Sequence, residues 1–297
     1  MLFNQNSSLP LVGYRQAESI LLVDVSSLSH RYWNTPGFRD MMMENTRTGH
    51  VFGFIKGITA YIKSARPRPT CLVFATDGYA KERYDIFPEY KGNRGDRSSR
   101  GNPVPDIVAI TECIPGYTVH LPGWEADDAI ASFLYGLRRM ERSTHKTVHI
   151  LSSDRDLFQL IDENTTVWTK PKESPIGMDN IGVDPKLIAI RKILHGDSSD
   201  NIKGVPFLRK KDVLPAVESC DGSLKDFLKK AKAECTRKTV SRLKAHFDVL
   251  KRNDSLVRLR IRKVKPIPNS HSKDRLRNII INKFGCQSLQ SDIERFF

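Results

Sequence analysis

The chain has few cysteines and none close to another. They are odd in number and never form a C-x-x-C pair, which argues against a disulfide framework and against a zinc site. The five are Cys71, Cys113, Cys220, Cys235 and Cys286.

Long apolar runs are also missing. No segment approaches the roughly 18 apolar residues of a membrane span, and residues 1–18 lack the basic start and apolar run of a signal peptide. With 39% hydrophobic and 28% charged residues, the composition is that of a globular protein. We therefore expect an intracellular, cytoplasmic protein without membrane contact.

Positive charge is abundant and unevenly distributed. The net charge is +14; residues 1–200 hold 24 Lys+Arg against 24 Asp+Glu, and residues 201–297 hold 24 against 10. The whole excess lies in the last third, which favours a neutral catalytic half joined to a basic half that binds a polyanion. A solvated basic surface without a partner is the alternative.

Short runs rich in branched apolar residues predict buried parallel strands at 19–25, 70–77, 117–122 and 147–154. Helical apolar stripes lie between them, as at 50–65 and 127–140. This alternation predicts an α/β fold with a mainly parallel central sheet flanked by helices, whose ligands gather at the carboxyl ends of the strands. After about residue 185 the pattern predicts a smaller, basic, all-helical region.

Carboxylates follow the predicted strands. Asp24, Asp77 and Asp154 come at strand ends, while GWEADDAIA, LSSDRD and HGDSSD add Glu125, Asp127, Asp128, Asp156, Asp197 and Asp200. Helix capping explains any one of them. Nine exceed what an acid/base pair needs, and such oxygen ligands suit Mg²⁺ or Mn²⁺. Two such ions would favour phosphodiester hydrolysis.

Six segments together resemble a known family. In chain order, VDVSSL, FATD, PEYKGNR, GWEADDAIA, LSSDRDLFQL and HGDSSDN resemble the motifs of the flap endonuclease / 5′-nuclease superfamily, over roughly residues 19–212. The nearest resemblance is to the phage ribonuclease H branch, which removes RNA primers from lagging-strand fragments. It implies a PIN-like 5′-nuclease domain with 5′ to 3′ exonuclease and flap endonuclease activity on branched or nicked DNA and RNA–DNA duplex.

The resemblance also implies roles for individual residues, with two Mg²⁺ ions as cofactors and Mn²⁺ as a substitute. The first ion would be held by Asp24, Asp77, Glu125, Asp127 and Asp128, and the second by Asp154, Asp156, Asp197 and Asp200. The catalytic set would be Asp24, Asp77, Asp128 and Asp154 with Lys91 and Arg94, which reach the scissile phosphate from an arch. Nucleic-acid contacts would come from Tyr90, Lys91, Arg94, Lys203, Gly204, Arg209, Lys210 and Lys211. For Lys91 and Arg94 a solvated loop is the alternative.

The sequence departs from the superfamily after the DN dipeptide. Members usually carry two closely spaced glycine turns that grip duplex phosphates, where a potassium ion can assist. This chain keeps Gly204 but has Pro206, Phe207 and Leu208 where the second turn would fall. We therefore expect duplex binding through Arg209 and the two lysines after it, without a potassium site.

The chain ends in QSDIERFF. Gln290, Ile293, Phe296 and Phe297 fit the Q-x-x-I/L/M-x-x-aromatic-aromatic pattern of peptides that dock on sliding clamps. The alternative is that both rings pack into the protein's own core.

These patterns predict four parts: an N-terminal extension (1–18), a nuclease domain (19–190) with a mobile arch loop (88–106), a helical duplex-binding region (191–284) and a clamp-binding tail (285–297). We expect a monomer, with a single-strand binding protein as a further candidate partner. Two alternatives are a PIN-type ribonuclease for single-stranded RNA and a non-catalytic, clamp-tethered fork-binding module. The arch motif speaks against the first, and the nine carboxylates speak against the second.

Overall fold

A computed structural model describes residues 11–94, 101–140, 145–170 and 173–297. Residues 1–10 of the predicted N-terminal extension and residues 95–100 of the predicted arch loop lie outside these ranges. No helix among the described residues is long and apolar enough to cross a bilayer.

The strands are β1 (Ser19–Asp24), β2 (Met42–Met43), β3 (Thr46–Arg47), β4 (Cys71–Thr76), β5 (Tyr117–His120), β6 (Thr147–Leu151), β7 (Thr165–Trp168), β8 (Gly196–Asp197), β9 (Ile202–Lys203) and β10 (Ile267–Pro268). The helices are α1 (Val25–Asn34), α2 (Gly49–Ser64), α3 (Lys81–Ile86), α4 (Val104–Thr111), α5 (Ala126–Arg138), α6 (Lys186–His195), α7 (Lys210–Ser219), α8 (Leu224–Glu234), α9 (Arg237–Ala245), α10 (Phe247–Val257), α11 (Lys273–Arg277) and α12 (Gln290–Ile293).

A central sheet organises the first half of the chain. Its six strands lie in the order β10-β5-β4-β1-β6-β7, and all pairs are parallel except β10 with β5. The predicted mainly parallel sheet flanked by helices is confirmed. The short strands β7 and β10 were not predicted, because neither has the apolar run of the central strands.

Alternate residues of β1 serve the two faces of the sheet, as the two-residue period of a strand requires. Leu21 and Val23 face a core built with α1, α2 and α4, whereas Ile20 and Leu22 face a core built with α5. All are fully buried, which explains why the strand reads as a continuous apolar run.

The helical region has its own core. Phe227 of α8, Leu243 of α9 and Leu250 of α10 are buried there with residues of α6 and α7. Asn253 ties this region to the segment before it, because its side-chain amide donates to the Ile193 carbonyl at 3.0 Å and to the Lys203 carbonyl at 2.9 Å.

The predicted clamp-binding tail packs against the protein itself. Ile293 is 0% exposed and Phe296 1% exposed, both in the core that includes α2, and Phe297 packs against that core. Gln290 accepts from Arg277 and donates to Glu294, both at 3.0 Å. This burial agrees with the alternative that the rings pack into the protein's own core, and clamp docking by this segment stays a prediction. Packing these apolar side chains internally removes them from water without a partner protein.

Candidate active site

Asp24 lies where β1 ends and α1 begins. Its carboxylate accepts from the Ser27 N–H at 2.9 Å and from the Ser152 hydroxyl at 2.7 Å. Burial, with repulsion from Asp77, raises the pKa of Asp24 to about 7. Ionisation of Asp24 is therefore unfavourable, first because the carboxyl group is buried and second because other anions lie near it.

Asp77 and Asp154 follow β4 and β6, the two strands that flank β1. The Asp77 carboxylate accepts from the Ala126 N–H at 2.7 Å, which fixes the start of α5 on the end of β4. The buried Ser152 hydroxyl links Asp24 to Asp154, since it donates to the first and accepts from the backbone N–H of the second at 3.0 Å. Three carboxylates thus lie at one edge of the sheet, as predicted from the strand ends.

The acidic residues at the start of α5 surround one guanidinium. Arg83, 2% exposed, contacts Asp128 at 2.9 Å and Asp127 at 3.5 Å, and it also pairs with Glu125. Burial and mutual repulsion raise the pKa of Asp127 and Asp128 despite this partner. The crowding of acids in this segment is therefore offset by a buried positive charge.

Lys91 and Tyr90 reach the same carboxylates from the predicted arch. The Lys91 ammonium pairs with Glu125, and the buried Tyr90 hydroxyl donates to Glu125 at 2.8 Å and to Asp200 at 3.0 Å. Burial acts to raise the pKa of Glu125, but Lys91 and Arg83 hold it down at about 2. Lys91 has φ +56°, a strained backbone conformation of the kind that clusters at functional sites.

Two further cations pair with the remaining acids. Lys192 of α6 contacts Asp197 at 2.6 Å and also pairs with Asp156, while Arg94 contacts Asp200 at 2.6 Å. Burial raises the pKa of Asp156 to about 6, although Lys192 opposes the shift. Asp197 has a lowered pKa because the hydrogen bonds from Lys192 and Ser199 outweigh its burial.

Residues 90–94 of the predicted arch loop lie against these acids, whereas residues 104–106 belong to α4. Lys91 N–H donates to the Asp200 carbonyl at 3.0 Å, and the Asn93 amide donates to the Ser198 carbonyl at 2.6 Å. The side chain of Lys91 is 14% exposed and that of Arg94 33% exposed. The alternative of a solvated loop does not hold for these two residues.

The carboxylates divide by how well they suit a divalent cation. Asp24, Asp77 and Asp154 have carboxylate oxygens that can bind a metal ion. Their mutual repulsion is not relieved by a salt bridge from any described lysine or arginine. The other six acids have the same kind of oxygen ligands, but these are already neutralised by four cations: Arg83, Lys91, Arg94 and Lys192. Among the described residues, no group of three or more His, Cys, Asp or Glu side chains closes around a metal position. An ion held by the neutralised acids would have to displace one of these four cations.

The predicted duplex-binding residues lie together at the start of the helical region. Gly204 packs so closely on the end of α6 that an added Cβ would lie 2.3 Å from the His195 carbonyl carbon. Lys203, Arg209, Lys210 and Lys211 are all exposed, and Arg209 forms a salt bridge with Asp212 at 2.9 Å. The structure thus presents these cations to solvent within one stretch of chain.

The sequence analysis missed three residues of the site: Arg83, Ser152 and Lys192. Arg83 and Lys192 have only a weak sequence signal, since each lies within seven residues of a predicted site residue, Tyr90 or Asp197. For Ser152, its place beside Asp154 after a strand is the only sequence signal.

Comparison with known proteins places the chain among nucleases. The family described as "5'-3' exonuclease, N-terminal resolvase-like domain" matches residues 19–186. A 5'-3' exonuclease of Buchnera aphidicola subsp. Schizaphis graminum is 30% identical over 207 residues, covering 68% of this chain and 70% of that one. DNA polymerase I of Rhizobium leguminosarum is 28% identical over 259 residues, covering 83% of this chain but only 25% of the polymerase. The chain thus spans about a quarter of that relative.

Solved structures share the fold at low sequence identity. A bacteriophage T5 flap endonuclease in complex with DNA and metal ions aligns with a TM-score of 0.60 and 19% identity, covering 92% of this chain and 99% of that one. Human GEN1 in complex with Holliday junction DNA aligns with a TM-score of 0.59 and 17% identity, covering 92% of this chain and 71% of that one. The structures show the shared fold, and the family match over more than half of its length shows that the chain belongs to the 5′-3′ exonuclease family.

Proposed function

We propose that the protein is a metal-dependent 5′-nuclease that hydrolyses phosphodiester bonds at 5′ ends and 5′ flaps of duplex nucleic acid. The observation that carries the proposal is the convergence of carboxylates from β1, β4, β6 and α5 with two cations of the predicted arch, Lys91 and Arg94. Family membership and relatives named 5'-3' exonuclease support the same activity.

Divalent ions fit the site in two ways. One ion would be held by Asp24, Asp77, Glu125, Asp127 and Asp128 in exchange for Arg83, and the other by Asp154, Asp156, Asp197 and Asp200 in exchange for Lys192. When bound, such ions activate water and stabilise the leaving oxygen. The T5 neighbour bound to metal ions supports a divalent cofactor, and we propose two Mg²⁺ ions with Mn²⁺ as a substitute.

Lys91 and Arg94 have a second task in this proposal. Each now neutralises one acid, Glu125 or Asp200. A substrate phosphate would draw both cations away, so that they bind its oxygens while the acids become free to hold metal. The binding of phosphate and the binding of metal would then be coupled, because both break the same ion pairs.

The substrate proposal follows from charge and from relatives. The exposed cations at the start of α7 bind phosphates without reading bases, so duplex substrates should be bound with little sequence preference. Removal of RNA primers and adjacent DNA from lagging-strand fragments is the biological task we propose. Docking on a sliding clamp stays a prediction, because Ile293 and Phe296 are buried in this chain's own core.

One assay tests the activity. The protein is incubated with labelled 5′-flap, nicked duplex, RNA-primed duplex and single-stranded RNA, in Mg²⁺ or EDTA, alongside Asp128→Asn and Asp154→Asn. We expect flaps and primers to be cut only by the unsubstituted protein in Mg²⁺. Cleavage that persists in EDTA or in both variants would reject the mechanism, and cleavage of single-stranded RNA alone would favour a PIN-type ribonuclease.

A further inference from the structure

A turn between β9 and α7 holds an aromatic residue in an unusual conformation. Leu208 N–H donates to the Val205 carbonyl at 3.3 Å and closes a four-residue turn, whose second residue is Pro206. Phe207, the third residue, has φ +57°. Turns with a positive φ at this position normally use glycine, because a side chain there strains the backbone.

The ring gains nothing from the fold in return for that strain. Phe207 is 88% exposed, the largest value for a big apolar side chain among the described residues. Its neighbours Val205 and Leu208 are buried, so the turn is anchored without it. The backbone is also held, since Arg242 of α9 donates to the Phe207 carbonyl at 2.7 Å.

Cationic residues flank Phe207 in the sequence on both sides. Lys203 precedes it, and Arg209, Lys210 and Lys211 follow it, all exposed. An apolar side chain presented rigidly among cations matches a double-stranded nucleic acid, whose grooves offer apolar sugar and base edges between two rows of phosphates.

We infer that Phe207 is a wedge that enters the minor groove of the duplex bound by the helical region, while the flanking cations hold the phosphates. This inference deepens the proposed function, from which it takes the duplex as ligand. The ring supplies apolar contact and the cations supply the salt-dependent attraction, so the two contributions are separable.

The experiment measures binding without cleavage. Anisotropy of a fluorescein-labelled 20-base-pair duplex, and of one of its strands alone, is recorded in EDTA at several salt concentrations for the full chain and for Phe207→Gly, Phe207→Trp and Lys210→Ala. The matched control is Phe247→Ala, because Phe247 is an exposed phenylalanine of the same region beside a cation, with Lys251 5.0 Å from its ring centroid.

We expect Phe207→Gly to weaken duplex binding about tenfold with an unchanged salt slope, since no charge is lost. The same variant should melt about 2 °C higher or more, because glycine relieves the strain at φ +57°. Phe207→Trp should bind like the unsubstituted protein, Lys210→Ala should reduce the salt slope by about 0.9, and the Phe247 variant should change neither.

Four results would overturn the inference: normal duplex binding by Phe207→Gly, a lower melting temperature of that variant, an equal loss of binding to single-stranded DNA, or no duplex binding by the unsubstituted protein. The outcome is separable from that of the nuclease proposal. A protein that cuts flaps while Phe207→Gly binds normally rejects the wedge alone, and a protein that binds through Phe207 but cuts nothing rejects only the nuclease.

Discussion

At the scale of single residues, the site balances acids against a few buried cations. Arg83 is the clearest case, because one guanidinium that is 2% exposed contacts three carboxylates of the start of α5. Removing one partner of a buried ion pair leaves the other charge without compensation, which costs far more than the net contribution of the pair.

We expect Arg83→Met to lower the free energy of unfolding by about 3–5 kcal/mol in EDTA. Mg²⁺ should restore part of this loss, because it can neutralise the acids that Arg83 leaves behind. Urea denaturation with and without Mg²⁺ measures both effects. Arg262→Met is the control, since the Arg262 side chain is 62% exposed and its loss should change little. Equal behaviour of the two variants would contradict the role of Arg83.

Asp24 gives the site a pH dependence. Its pKa is raised to about 7 in the folded state by burial and by Asp77, so folding favours the protonated form. In EDTA the unsubstituted protein should therefore lose stability as the pH rises from about 4 to 7. Asp24→Asn should remove this loss and be more stable by about 4 kcal/mol at pH 8, with no such gain below pH 4.

Urea unfolding at pH 4 and pH 8 tests this prediction, with the exposed Asp274→Asn as control. Mg²⁺ should stabilise the unsubstituted protein at pH 8 and have less effect on Asp24→Asn. If the difference in unfolding free energy between the two proteins does not change with pH, burial does not raise the pKa of Asp24.

At the scale of elements, close packing between Gly196 and Gly204 positions the β8–β9 hairpin and the two acids on it. Gly204 of the segment after β9 approaches β8, where an added Cβ would lie 2.6 Å from the Gly196 N atom. Gly196 has φ +82°, which also favours glycine. This contact fixes the hairpin that carries Asp197 and Asp200 next to α6.

We expect Gly204→Ala to lower both the melting temperature and the rate of flap cleavage, because the hairpin must open to admit the methyl group. Gly136→Ala is a matched control within α5, where nothing lies within 4 Å of the added Cβ. That variant should be more stable by about 0.5–1 kcal/mol, as alanine favours a helix over glycine, with normal cleavage. Loss of cleavage in both variants would point to a general effect of the mutations.

The C-terminal segment behaves as part of the core. Besides the two apolar anchors, Asp292 is 3% exposed and accepts from Lys56 of α2 at 2.6 Å and from Thr59 at 3.2 Å. A segment with both apolar and charged partners in α2 stabilises the sheet face on which α2 lies.

We expect Phe296→Ala to lower the free energy of unfolding by about 3–5 kcal/mol, the usual cost of emptying a buried phenylalanine site. Phe297→Ala should cost less, because that ring is only partly buried. Chemical denaturation compares the two. If Phe296→Ala unfolds like the unsubstituted protein and instead loses binding to a purified sliding clamp, the segment is a docking peptide after all.

At the scale of the whole molecule, charge is divided between two halves. The entire excess of positive charge lies after residue 200, in the helices and connecting segments that follow the candidate active site in the chain. Duplex phosphates should therefore be bound mainly by this region, with the acidic edge of the sheet beside it. The predicted four-part division of the chain stays a prediction.

We expect neutralisation of Arg209, Lys210 and Lys211 to alanine to reduce the salt slope of duplex binding by about 2–3, which is about 0.9 for each phosphate contact. Lys63, Arg66 and Arg68 form the control triple, since they are exposed and precede β4, at the edge of the sheet opposite the site. Binding titrations at several salt concentrations give both slopes. Equal reductions would mean that the duplex is attracted by net charge rather than by the helical region.

Local patterns were sufficient for the fold class and for the identity of the acids. The apolar runs at β1, β4, β5 and β6 predict the parallel strands, and a parallel sheet brings its carboxyl ends to one edge, so Asp24, Asp77 and Asp154 could be placed together. The same reasoning could not place β7 or β10, since their short runs pair only because neighbouring strands already exist.

The sequence by itself determined the four central strands, the acids that follow them, and the family that the chain resembles, because these depend on periodicity and on the order of short motifs. Only the tertiary structure decided which cation neutralises which acid, that Phe296 is buried, and that Phe207 is exposed. The reason is distance along the chain: Arg83 and Asp128 are 45 residues apart, and Lys56 and Asp292 are 236 apart. Contacts between such distant residues form only when the sheet and its helices have assembled.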